Sequence, residues 1–88
     1  MTYLQRQTLC RLFEKALEYH GSEVFITMSS SSIMVTDKDW KWRFRADPDR
    51  DGIIRQAWYR RGQKDARPIE VGNVFWTLEH AAQLDSEE

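Results

Sequence analysis

Eighty-eight residues, 41% hydrophobic and 31% charged, suit one small folded domain and exclude a disordered chain. A single cysteine, Cys10, excludes an internal disulfide framework, and no apolar run approaches the roughly 20 residues that cross a bilayer. The net charge of −1 conceals a division: residues 38–67 carry ten Lys/Arg against five Asp/Glu, and the remainder carries three against nine. A local basic surface is therefore expected, without attraction of the whole domain to a polyanion.

The opening residues Met1-Thr2-Tyr3-Leu4-Gln5-Arg6 lack the charged-then-apolar layout of a signal peptide. With the free thiol, this sets the expectation of a reducing, cytoplasmic setting. Thr2 and Gln5 have the spacing of a capping box, and Leu9, Leu12, Phe13, Ala16 and Leu17 form one apolar helical stripe. Gly21, after His20, is the expected stop. Val24–Met28 and Ile33–Thr36 are rich in β-branched residues and predict a hairpin across Ser29–Ser32. Trp40-Lys41-Trp42-Arg43-Phe44-Arg45 alternates apolar with basic, the pattern of a half-buried strand. Residues 47–52 read as a turn, and Ile53–Arg61 as an antiparallel return strand. Gly62–Asp65 reads as a loop, and Pro68–Val71 as either a short edge strand or the opening of a helix. Asn73 is the expected N-cap of a last helix in which Val74, Leu78, Ala81 and Ala82 share a stripe through Leu84. The tail 85–88 is acidic and expected to fray, leaving one domain over 1–84.

The order α-β-β-β-β-α predicts a two-layer α+β sandwich. Four antiparallel strands, or five with Pro68–Val71, would carry both helices on one face and leave the other face open. Successive strand residues alternate sides, so Trp40, Trp42 and Phe44 facing the helices would set Lys41, Arg43 and Arg45 on the open side. Pairing Ala46 with Ile53 adds Gln56, Trp58 and Arg60 to that row. A slip of one residue substitutes Arg55, Tyr59 and Arg61. Either register yields several cations and an exposed ring, the composition of interface hot spots. Against this stands the ordinary solvated face of an antiparallel sheet, with Glu23, Asp37 and Asp39 pairing the cations.

Residues 47–54, Asp47-Pro48-Asp49-Arg50-Asp51-Gly52-Ile53-Ile54, resemble the first eight positions of an EF-hand calcium loop. The resemblance implies Asp47, Asp49 and Asp51 as ligands and Gly52 as the tight turn. It departs at the twelfth position, where Trp58 replaces the bidentate glutamate, and in its strand-like flanks. A plain turn is the preferred reading. No catalytic constellation is found. Cys10 and His20 lie about 15 Å apart along one helix and cannot pair, Cys10 being expected at the core or its boundary. His80 and Glu79 are helix neighbours that do not face each other, and Glu14 and Glu18 have Arg11 and Lys15 as ordinary partners. Ser29–Ser32 lacks a nucleophile-elbow pattern. The expectation is a non-catalytic module without a cofactor that binds an acidic protein surface. Nucleic acid is the alternative for the same face, a calcium-responsive domain a further one, and a homodimer is an open option.

Overall fold

The computed structural model describes residues 1–84, so the expected fraying of 85–88 lies outside the described residues. Helix α1 spans Tyr3–His20, and strands β1 Val24–Met28, β2 Ile33–Asp37, β3 Trp42–Pro48, β4 Ile54–Arg61 and β5 Arg67–Pro68 follow. Helix α2 spans Val74–Leu84, and single 3₁₀ turns at Gly21–Glu23 and Val71–Asn73 complete the path. The strands form one antiparallel meander in chain order, β1-β2-β3-β4-β5. The α+β sandwich is as expected, with five strands. Pro68 joins a two-residue edge strand and Val71 opens the turn into α2, so the 68–71 segment divides between its two readings.

The capping box at the start of α1 is formed: Thr2 Oγ1 accepts from the Gln5 amide at 3.1 Å, and Gln5 Oε1 from the Thr2 amide at 3.2 Å. Gly21 closes the helix at φ +58, its amide donating to the Leu17 carbonyl. Leu9, Leu12 and Ala16 are fully buried, whereas Phe13 and Leu17 stay at the exposed rim of the stripe. Cys10 is also exposed, a correction to its expected boundary position; it lies one residue beyond Leu9 and off the buried arc. In α2 the buried side chains are Val74, Thr77, Leu78 and Ala81, and Ala82 is exposed.

Between helices and sheet the core gathers Ile33 and Val35 from β2, Trp42, Phe44 and Ala46 from β3, and Ala57 from β4. Full burial of a side chain such as Phe44 contributes about 1.5–3 kcal/mol. His20 closes one end of the seam: Nε2 donates to the Leu78 carbonyl at 2.7 Å, and its ring lies 5.1 Å from that of Trp42. The other end is held by polar bonds from α1 to the β3–β4 turn. Gln5 Nε2 donates to the Pro48 carbonyl at 3.0 Å, and Thr2 and Thr8 donate their hydroxyls to the Arg50 and Gly52 carbonyls at 2.5 Å each.

Strand β3 begins two residues later than expected and continues through Pro48. The pairing is Ala46 with Ala57 and Arg45 with Trp58, not Ala46 with Ile53. The difference arises because Asp47 and Pro48 still pair, and the chain turns only over 49–53 with a register break at Asp47/Pro48. Parity is unchanged by a shift of four residues, so the faces are those of the first of the two registers.

Gly52 sits at φ +78, and a Cβ there would lie 2.6 Å from the Leu4 carbonyl oxygen. Gly62 has φ +58 with nothing within 4 Å of its Cβ position. Both alanine variants carry a left-handed backbone cost of about 1–2 kcal/mol, and Gly52→Ala adds roughly 1–3 kcal/mol because α1 must retreat from the turn. Urea denaturation of the two variants should separate them; equal losses would show that the close approach of α1 is dispensable.

Candidate functional site

Across the open face the strand registers line up two ranks of side chains. One runs Phe25, Thr36, Arg43, Arg60; the other runs Thr27, Met34, Arg45, Trp58, ending at Pro68 on β5. The apolar members lie toward β1 and β2 and the cationic ones on β3 and β4. Of the residues expected on this face, Arg43, Arg45, Trp58 and Arg60 are brought together. Gln56, opposite Asp47, keeps the same side of β4, and the rest are placed elsewhere. Lys41 precedes β3 and belongs to the bend before it, because the strand starts at Trp42. Arg55 sits at the register break and pairs with Asp49. Tyr59 turns to the core side and donates its hydroxyl to the Ala81 carbonyl at 3.0 Å, and Arg61 reaches the Leu84 carbonyl at the end of α2.

Trp40 departs furthest from expectation. It lies outside the strand, in the β2–β3 turn, and has φ +59. Asp37 organises that turn: its Oδ1 accepts from the amides of Lys41 at 2.5 Å and Trp42 at 3.3 Å, and its carbonyl from Trp40 at 3.1 Å. A bulky residue at positive φ is uncommon and costs roughly 1–2 kcal/mol per residue. The strained backbone brings the Trp40 ring to the open face at 57% exposure, with Arg43 5.7 Å from its centroid. Strict alternation hid this, because the apolar/basic rhythm runs unbroken through Trp40 and Lys41 while the chain is still turning.

Two hollows lie side by side on the face. The first, about 420 Å³, is lined by Phe25, Ile26, Thr27, Met34, Thr36 and Trp40. Phe25 is 52% exposed within it, and its position outward of β1 is implied by Val24 and Ile26 facing the core. The second, also about 420 Å³, is lined by Arg43, Arg45, Trp58 and Arg60, with Gln63, Lys64, Asp65 and Ala66 from the β4–β5 turn as its wall. Gly62 holds that turn against the sheet, its amide donating to the Lys41 carbonyl at 2.7 Å. Along the chain 62–65 has only the pattern of a loop; the meander brings it over the arginines.

The cations in the second hollow are unequally satisfied. Arg45 grips Asp47 with two bonds, 3.1 and 3.3 Å, and lies 5.6 Å from the Trp58 ring. Arg43 and Arg60 stand directly opposite each other across β3 and β4. Neither forms an ion pair among the described residues, and the Arg43 Nε is shut off from solvent without a hydrogen-bond partner. Like charges directly opposed in a sheet are destabilising, and a buried donor left unpaired costs about 1–3 kcal/mol.

The aspartate turn is built for its own backbone. Asp49 Oδ1 accepts from the amides of Asp51 at 3.0 Å and Ile53 at 2.9 Å, and Oδ2 from Arg55 at 2.5 Å. Asp47 lies on β3, engaged by Arg45. The three aspartates of the calcium resemblance therefore do not converge, and among the described residues no group of three His, Cys, Asp or Glu is placed to hold a metal ion. His80 stacks on Trp76 at 4.6 Å and meets the Trp76 carbonyl at 2.9 Å. No helix among the described residues is long and apolar enough to cross a membrane.

The Arg55 side chain first, then the Ile53 amide, hold the Asp49 carboxyl below its ordinary value of 3.8. A depressed carboxylate contributes stability that is present above the ordinary value and lost as pH falls through the lowered one. Asp49→Asn should therefore melt below wild type at neutral pH, with the gap closing toward pH 2; thermal melts between pH 2 and 7 read this directly. Trp40→Gly should leave stability within about 1 kcal/mol of wild type, since relief of the positive φ offsets the lost ring contacts. A drop in chemical-denaturation stability well beyond that would make Trp40 a packing residue. Comparison of the chain with family models, curated proteins and solved structures gives no match in any of the three.

Proposed function

We propose that this chain is a non-catalytic binding module whose open sheet face receives an extended segment of another protein, one that alternates acidic and apolar side chains. The supporting observation is the juxtaposition of the two hollows. An apolar one holds Phe25, Met34 and Trp40, and a cationic one beside it holds Arg43, Arg45 and Arg60. Trp and Arg are the residues that most often carry binding energy at interfaces, and the strained Trp40 backbone keeps one such ring in reach of a partner. A nucleic-acid strand would use the cations and could stack bases on the exposed rings but would leave Met34 without a counterpart. Stacking two copies face to face would oppose Arg43 and Arg60 to themselves, so a partner of opposite charge fits better than a second copy.

Fluorescence anisotropy tests the reading with a labelled peptide of alternating Glu and Leu and a labelled single-stranded oligonucleotide, each at low and high salt. The peptide should bind and the oligonucleotide should not. Trp40→Gly should weaken the peptide by about tenfold or more, the scale of a central aromatic contact. Preferential binding of the oligonucleotide, falling steeply with salt, would assign the face to nucleic acid. Unchanged peptide affinity in Arg43→Glu/Arg60→Glu would move the contact off this face.

A further inference from the structure

Resting on that reading, we infer that the hollow between Arg43 and Arg60 is a seat for one phosphoryl group, carried on a side chain of the bound segment. Four cations line it, Arg43, Arg45, Arg60 and Lys64, against the single carboxylate of Asp65. Arg45 is committed to Asp47, and the charge of Lys64 is matched in number by that of Asp65, which leaves the opposed pair Arg43 and Arg60 as the excess charge among the described residues. A carboxylate brings one negative charge and neutralises one member of that pair. A phosphate monoester brings roughly 1.5–2 negative charges and three acceptor oxygens, which suits two guanidinium forks at once. Its arrival relieves the like-charge opposition across β3 and β4. Trp58 forms one side of the hollow, and Gln63 adds an amide on the turn above it, a neutral donor of the kind that phosphate oxygens accept from. The volume of about 420 Å³ is that of a small-ligand site and exceeds what a single ion needs, leaving room for the side chain that carries it.

The test is an NMR titration of the whole chain with inorganic phosphate, following backbone amides and arginine Nε–H signals. A second arm compares an acidic peptide containing phosphoserine with its unphosphorylated form. Saturable shifts confined to Arg43, Arg60 and residues 63–66 are expected, lost in Arg43→Gln and Arg60→Gln and kept in Arg50→Gln. The phosphopeptide should bind about tenfold or more tighter than its unphosphorylated form. Without phosphate, Arg60→Gln should melt above wild type, because one of the opposed charges is gone. Adding phosphate should raise the wild-type melting temperature and leave that of the variant unchanged. Shifts that are absent, or identical in wild type and both variants, overturn the phosphoryl seat; retained binding of the Glu/Leu peptide then leaves the binding-module reading intact. Inorganic phosphate that binds at the seat while none of the peptides binds overturns the module reading instead. Equal affinity for the two serine peptides overturns the side-chain source of the phosphoryl group.

Discussion

Gln5 occupies the position on which the arrangement of the two layers turns. It is buried on the first turn of α1, and its side-chain amide is satisfied at both ends, by the backbone amide of the N-cap Thr2 and by the Pro48 carbonyl on β3. An unpaired amide at that depth would cost about 1–3 kcal/mol, so the helix start and the end of β3 are held at one separation. Thr2 and Thr8 extend the contact to the Arg50 and Gly52 carbonyls. Leu9, Leu12 and Ala16 then continue the same helix face into the apolar core. The layer that α1 and α2 cover is thereby set, and with it the layer that stays open.

The aspartate turn takes its meaning from this contact. Asp49 folds its carboxylate back onto the turn's own amides and Arg55, and the backbone carbonyls of the turn point to α1. Glycine at 52 is demanded twice, by the positive φ and by the Leu4 carbonyl against the place where a Cβ would stand. Spacing of aspartates that resembles an ion loop is here the spacing of a turn that receives a helix. The two chemistries want the same residues for different reasons: acidic oxygens accept from cations and from amides alike.

Much of the fold was legible along the chain. The capping box at Thr2 and Gln5, the stop at Gly21, the serine hairpin between β1 and β2, and the α2 stripe each rest on interactions between residues close in sequence. Arg43 and Arg45 were legible as one side of a strand, whereas Trp58 and Arg60 were legible only as one of two alternatives, because parity fixes sides within a strand and the register of β3 on β4 decides which residues join them. Less legible were Trp40, which keeps the strand rhythm while lying in a turn, and Arg55, Tyr59 and Arg61, whose partners Asp49, Ala81 and Leu84 lie on other elements or across the turn. Phe25 and the 62–66 wall were hidden for a further reason, since neither carries a pattern that distinguishes it from ordinary strand or loop.

By itself the sequence determined the elements, the sides that alternating residues take and the concentration of cations in the middle of the chain, because these follow from local spacing and composition. The tertiary structure alone decided which cations are neutralised. Arg45 and Arg55 find carboxylates and Arg61 finds a helix end, whereas Arg43 and Arg60 are set against each other with an aromatic ring beside them. Pairing of charges depends on distances of a few ångströms between segments far apart in the chain, and only the register of β3 on β4 and the path of the turns set those distances.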